Sequence, residues 1–240
     1  RNNHGGWQGD LTGREKRWHP KDQALMNGMF GFQNRNMNVW YRLDFLDEKI
    51  FGPNNGSELQ PEKVSDKDFL TKRYTHQLQS DWKLDNRLDV HAALSYQDYK
   101  RRTRTTESDL STGEKWLSSA EASQDITQYK AWIARATVAW NIAPEFSVQP
   151  GVEYQWTQGE GGRIDGTPKV SDLAFFLSAE YKPWEWLSLR PGVRTFIVAD
   201  YDAPIAIPSV LTKFKLTKHM DLRLVQSMSL ALHSTSESEL

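Results

Sequence analysis

The residues that could do chemistry are thinly spread. Six histidines stand at His4, His19, His76, His91, His219 and His233. No two share the i, i+4 spacing by which a helix brings two imidazoles to one metal ion, and no HExxH occurs. The chain has no cysteine, which excludes a thiolate metal site, a disulfide scaffold and a cysteine nucleophile. No G-x-S-x-G elbow presents a serine. The expectation is therefore a non-enzyme, with no catalytic, metal or cofactor-binding residue.

Binding chemistry remains. Alternation puts His91 on a wet strand face, where it serves as a hydrogen-bonding residue or as a ligand contact. Lys100, Arg101, Arg102 and Arg104 form a basic run suited to an anionic partner or to simple solvation. Gly159-Glu160-Gly161-Gly162-Arg163 lacks phosphate-loop spacing and reads as a turn, with Arg163 at its tip. Trp116 is an isolated ring in a polar stretch, able to stack on a ligand or to pack its own loop. The candidate ligand-binding residues are thus Trp116, Arg163, Arg102 and His91.

The elements that position these residues have period two. Phe146, Val148, Pro150, Val152, Tyr154 and Trp156 alternate with Ser147, Gln149, Gly151, Glu153, Gln155 and Thr157, the pattern of a strand with one dry and one wet face. Similar alternation starts at Val39, Leu88, Trp132 and Leu173, with Ala174 and Phe176 as exceptions. It predicts about ten strands, at 22–33, 37–50, 68–82, 87–104, 126–140, 146–157, 171–182, 187–199, 207–217 and 220–232. Many exceed the usual length of about 5–6 residues and suit a tilted membrane crossing. The longest stretch free of acidic and basic residues, Leu224 to Ser236, is too short and too polar for a spanning helix.

Short and long connections alternate. Residues 34–36, 83–86, 141–145, 183–186 and 217–219 are short; 51–67, 105–125 and 158–170 are long, and 200–206 is intermediate. Sorting by parity is what an up-and-down barrel with short turns on one rim produces. Trp82, Trp140, Phe146, Tyr181, Trp184 and Trp186 fall near short turns. Tyr96, Tyr99, Tyr154 and Trp156 fall toward long loops. Two bands of rings resemble the aromatic belts of the two membrane interfaces. The wet face carries Arg42, Asp44, Asp89, His91, Arg135, Glu153, Glu180, Arg190 and Arg194, which need a watered or plugged interior.

Composition fits. The chain has 240 residues with 10 Trp, 8 Tyr and 10 Phe, yet is only 38% hydrophobic, and mean hydropathy is −0.69. A wall that keeps one dry face explains many rings beside little aliphatic bulk. A net charge of −1 speaks against a dedicated nucleic-acid binder.

Several stretches carry a resemblance. Ser178-Ala179-Glu180-Tyr181-Lys182-Pro183-Trp184, Leu187-Ser188-Leu189-Arg190-Pro191-Gly192-Val193-Arg194, Tyr201-Asp202-Ala203-Pro204 and Asp221-Leu222-Arg223-Leu224 resemble the barrel domain of TonB-dependent outer-membrane transporters. The likeness is strongest to those of Bacteroidetes-like bacteria. It spans residues 20–224 and implies a middle portion of a bacterial receptor barrel. The family barrel has 22 strands around an N-terminal plug. No plug is recognisable here, and residues 225–240 depart from the family pattern. The expected organisation is an N-terminal segment 1–21, barrel strands over 22–224, and an atypical end over 225–240. The fold class expected is all-β: an antiparallel up-and-down transmembrane β-barrel segment, incomplete on its own. The resemblance implies uptake of a scarce nutrient, whether an iron chelate, haem, a cobalamin-like compound or a glycan. It implies as partners outer-membrane lipid and lipopolysaccharide, a small ligand, and an energy-coupling TonB protein acting through the plug. The alternatives are a self-contained ten-stranded porin, an outer-membrane enzyme, or a lipocalin-like carrier with the dry face inward.

Overall fold

The computed structural model describes residues 2–3, 13–162, 164, 166–198 and 206–228. Within them the chain is one antiparallel sheet. Its strands are β1 (Asn2–Asn3), β2 (Lys21–Gln33), β3 (Met37–Gly52), β4 (Lys63–Lys83), β5 (Leu88–Asp109), β6 (Lys115–Leu117), β7 (Ile126–Ala143), β8 (Phe146–Glu160), β9 (Lys169–Trp184), β10 (Leu187–Val198), β11 (Ile207–Lys215) and β12 (Asp221–Ser227). Each strand pairs with its sequence neighbour, except that β6 is a spur on β5 and β7 follows β5 in the sheet. Among the described residues, β2 and β12 do not pair with each other. The sheet is open, as in an incomplete barrel, and a closed ten-stranded barrel is not formed.

The period-two segments become these strands because alternate side chains leave opposite faces of a pleated chain. The main correction is length. Strands β4 and β5 run for 21 and 22 residues. They take residues 63–67 and 105–109 from the predicted long loops, and their register is unbroken from Lys63↔Asp109 to Lys83↔Asp89. Polar side chains there do not end the strands, because the cross-strand backbone ladder continues regardless of polarity. The predicted loop 105–125 also contains β6, which turns back onto β5 through Glu107↔Trp116.

Register assigns every strand residue to a face. One face carries Val39, Leu78, Leu94, Ala134, Tyr154, Leu173 and Ile197. The other carries Arg42, Gln77, Gln97, Arg135, Glu153 and Arg194. Most buried strand residues lie on the polar face, among them Thr71, Thr105, Thr137, Glu153 and Ala174, whereas Leu94, Tyr154, Phe175 and Leu177 on the apolar face are exposed; Val64 and Ser108, register partners of apolar-face parity beyond the upper ring row, are buried too. A lipocalin-like arrangement would bury the apolar face, the reverse of what is seen.

Phe176 breaks the alternation by placing a ring on the polar face. It is clasped by cations: the Arg135 and Arg194 guanidinium carbons lie 4.8 and 5.8 Å from its ring centre. Gly151 opposite makes the room, since a Cβ there would stand 2.3 Å from the Phe176 ring and 2.9 Å from the Ala136 carbonyl oxygen.

Candidate functional site

The apolar face is a bounded band. Toward the short turns its edge carries Trp82 on β4, Trp140 on β7, Phe146 and Tyr181 on β8 and β9, and Phe214 on β11. Phe214 belongs to a stack with Trp184 and Trp186: the two tryptophan rings are 5.3 Å apart and 4° from parallel, and Trp186 lies 6.3 Å from Phe214. A bulge in the β9–β10 ladder, between the Leu187↔Trp184 and Leu189↔Tyr181 pairs, brings Trp184 onto this face. Toward the long loops the edge is a row of rings in neighbouring strands. Tyr96 opposes Trp132 with ring centres 4.4 Å apart, and Trp132 opposes Trp156. Tyr154 lies one row inside this edge. Tyr99 does not belong to it. It sits on the polar face, 6.1 Å from the Tyr129 ring, because it is an odd number of residues from Tyr96. The row is also not at the strand end, since β5 continues to Asp109.

The lower edge of the band crosses the strands obliquely, whereas Tyr96, Trp132 and Trp156 of the upper row are direct register partners. From Trp82 the register leads through Val90 and Val138 to Pro150, Leu177, Val193 and Pro208. The ring at the edge in β11 is Phe214, six residues closer to the short turn. Six residues over six strand steps, at about 3.4 Å per residue and about 4.8 Å per strand, is a tilt of about 35°. On β8 the edge rings Phe146 and Trp156 are ten residues apart, about 34 Å along the strand and about 28 Å at right angles to the lower edge. Both figures match a strand crossing a hydrocarbon layer, with tilts of about 35–45° and an apolar height of about 25 Å. Past the upper ring row the same face becomes charged, with Asp47, Lys72, Asp98, Lys100 and Lys130.

The polar face is a ladder of ion pairs. Glu153, 8% exposed, accepts from the Arg194 guanidinium at 2.6 Å and the Gln155 amide at 3.1 Å, with Arg135 at 3.7 Å. Glu180 takes Arg190 at 3.2 Å, Lys182 at 3.4 Å and the Ser188 hydroxyl at 3.0 Å. Arg42 binds Asp44 at 2.8 Å. A carboxylate shielded from bulk water needs such donors, because an unpaired one costs several kcal/mol.

Near the long-loop end this face holds a cavity of about 720 Å³. Its floor is β4, β5 and β7, through Lys67, Phe69, Arg101, Thr103, Thr105 and Thr127. Its roof is the connection 118–125. Ser118 and Thr103 donate backbone N–H bonds to the carbonyls of Thr105 and Asp125, and Thr105 donates to Ser123. Glu107 anchors the roof by accepting from the Trp116 indole at 3.0 Å and the Ser118 hydroxyl at 2.5 Å. Ala122, a roof residue, has φ 57°, a left-handed conformation costly for alanine. In the floor Lys67 lies opposite Thr105, whose hydroxyl is buried without a partner, and Arg101 packs 4.4 Å over the Phe69 ring. The cavity offers two cations, three carboxylates (Glu107, Glu121 and Asp125), hydroxyls and a ring to a polar small molecule.

Of the predicted ligand residues, the three that are described do not converge. Trp116 braces the roof and is 44% exposed. Arg102 points to the opposite face from the cavity. His91 sits toward the short turns, its Nδ1 2.8 Å from an Asp81 oxygen. Arg163 lies outside the described residues. Lys67, Phe69 and Thr105 were not singled out from sequence, since nothing local marks them as facing one cavity. Among the described residues no group of three or more metal-ligating side chains occurs, and no helix is long and apolar enough to cross a membrane.

No protein-family model matches the chain, and no curated protein sequence matches it. Among solved structures it is similar to the ferric citrate transporter FecA in the unliganded form, with a TM-score of 0.47 and 11% sequence identity. That match covers 86% of this chain and 36% of the transporter's, so the chain spans about a third of its neighbour's length.

Proposed function

We propose that the chain is part of the wall of a TonB-dependent receptor in the bacterial outer membrane, taking up a scarce nutrient and doing no covalent chemistry. The observation that carries this reading is the oblique apolar band. It has aromatic edges, a span of about 28 Å and a backing of paired charges, the arrangement a tilted barrel wall needs between lipid and water. The apolar face meets lipid, and the ion-pair ladder faces a watered or plug-filled interior. The cavity beneath the 118–125 roof then lies at the outer mouth, where a ligand arrives. Coupling to TonB through a plug, and the choice among iron chelate, haem, cobalamin-like compound and glycan, follow from the sequence resemblance.

The absence of cysteine makes the test direct. Single cysteines replace Leu177 on the apolar face and Gln149 on the polar face, and the chain is inserted into phosphatidylcholine bilayers. Leu177→Cys should resist a water-soluble maleimide and react with a lipid-dissolved one, and Gln149→Cys should do the opposite. Equal reaction of both cysteines with the water-soluble reagent would overturn the wall reading. Uptake is tested in cells lacking the gene: energy-dependent accumulation of one of the four ligand classes should fall, and unchanged uptake of all four would reject a receptor role.

A further inference from the structure

One histidine is set among rings and not among charges. His76 lies in the upper ring row itself: the register runs from Leu43 through His76 and Tyr96 to Trp132 and Trp156. Its Nδ1 stands 2.6 Å from the hydroxyl of Tyr41, which is two residues along β3 from Leu43 toward the short turns. Among the described residues no carboxylate pairs with His76, in contrast to His91, whose Nδ1 is 2.8 Å from Asp81.

The rings follow one another without a gap. Tyr41 and His76 have ring centres 6.1 Å apart, His76 and Tyr96 6.0 Å, and Tyr96 and Trp132 4.4 Å. Trp132 is 38% exposed, while Tyr41, His76 and Tyr96 are half-buried. The row thus has an accessible indole at one end and a hydrogen-bonded phenol at the other.

Indole and phenol side chains can each give up a single electron. A phenol does so readily only when a base takes its proton, because the cation left behind is a strong acid. On an apolar face an unpartnered charge is costly, and a bonded imidazole nitrogen is the base at hand. With the imidazole proton on Nε2, the Tyr41 hydroxyl donates to Nδ1, and its proton has a destination before the electron leaves. Tyr74 shows the contrast. It is two residues along β4 from His76 and packs on Phe45, with ring centres 4.9 Å apart, but no base is hydrogen-bonded to it among the described residues.

We propose that this row carries an oxidising equivalent from Trp132 to Tyr41, where the Tyr41–His76 pair holds it as a phenoxyl radical. The oxidant is a diffusible radical that accepts one electron. It takes that electron from the Trp132 indole and becomes its anion, and the indole releases its N–H proton to water. Tyr41 then returns one electron to Trp132 by way of Tyr96. The Tyr41 O–H bond breaks, its proton forms an N–H bond at His76 Nδ1, and Trp132 regains a proton from water. The balance is one radical reduced to its anion, one phenol oxidised and one imidazole protonated. The path touches no bond of a nutrient and needs only the ring contacts, so it stands apart from the wall reading. Its effect is to spare the indoles of the upper edge by moving the damage to one phenol.

The test uses the full 240-residue chain in phosphatidylcholine bilayers and a pulse of azidyl radicals, which oxidise indoles first. Loss of tryptophyl absorption with matching growth of tyrosyl absorption follows the transfer. The parent should show a fast phase that slows in heavy water. Tyr41→Phe should remove that phase. His76→Phe, which keeps a ring in the row but removes the base, should slow it severalfold and abolish the Tyr41-dependent part of the isotope effect. Tyr74→Phe should leave it unchanged. After repeated pulses, peptide mapping should find the oxidation on Tyr41 in the parent and on Trp132 in Tyr41→Phe. A fast phase that survives Tyr41→Phe, an equal loss with Tyr74→Phe, the same isotope effect in His76→Phe as in the parent, or oxidation that stays on Trp132 in the parent overturns the path.

Discussion

Glu153 and Tyr154 are neighbours on β8 with opposite surroundings. Glu153 is 8% exposed and held by two arginines and a glutamine, whereas Tyr154 is 41% exposed among Leu78, Leu94 and Ala134. One backbone step separates a carboxylate that requires charged partners from a ring that borders an unpartnered apolar groove. Usually the buried face of a sheet is the apolar one. Here, between the two ring rows, the buried residues lie on the polar face and the apolar face is bare, so the two faces differ in the solvent they are built for.

The largest expected effect removes the centre of the polar face. Glu153→Ala leaves Arg194 and Arg135 without their shared carboxylate and should cost about 3–5 kcal/mol, the range for breaking a shielded ion pair. Urea unfolding of the micelle-inserted chain followed by tryptophan fluorescence measures it. A loss below 1 kcal/mol would show that water on that face screens the pair fully.

Leu177→Arg probes the other face near the middle of the band. In a bilayer it should cost about 2–4 kcal/mol, as an arginine at the midplane of a lipid-facing strand does. The equivalent change Gln149→Arg, one register step away on the polar face, should be close to neutral. Similar losses from both, read in the same unfolding assay, would erase the distinction between the faces.

Gly151→Ala tests the packing that admits Phe176 to the polar face. The new methyl would meet the ring and the Ala136 carbonyl, an overpacking worth about 1–3 kcal/mol. Combining it with Phe176→Ala should recover much of the loss, and no recovery would mean that the backbone carbonyl is the obstacle.

The smallest effect lies beyond the band, at the β5–β6 turn. The Ser111 hydroxyl, then the Ser111 and Thr112 amides, bond Asp109, and these with the charge of Lys63 hold its carboxyl below the usual carboxylate range. A depressed carboxyl contributes order above its unfolded titration range and loses it as pH falls through the folded value. The amide resonances of Ser111 and Thr112 should therefore shift only in acid, below the ordinary carboxylate range, and Asp109→Asn should abolish that titration while leaving both faces of the band unchanged.

Strand positions were legible in the sequence because alternation is a property of one strand. The Phe146–Trp156 series identifies its two faces without any partner. Rim parity was legible for a similar reason, since short and long connections can be counted directly. The reach of β4 and β5 was not, because residues 63–67 and 105–109 have no apolar alternation and are held by pairing with each other. Among candidate site residues, Trp116 and Arg102 were visible as residue types, but their directions were not. Trp116 is turned by the β6 spur, and Arg102 faces away from the cavity that Arg101 lines.

What the sequence determined by itself is the separation of faces, because successive Cβ atoms point to opposite sides of any extended chain. Phe146, Val148, Val152, Tyr154 and Trp156 were already assigned to one side of their strand by that rule. Only the tertiary structure decided that Trp82, Trp140, Tyr181 and Phe214 form a single edge tilted by about 35°, that Lys72 meets Lys100, and that Arg104 finds Asp68. Those outcomes depend on register, which places residues 36 positions apart, as Arg104 and Asp68 are, within hydrogen-bonding distance. Register is set by the summed fit of whole strands, and no local pattern in the chain encodes it.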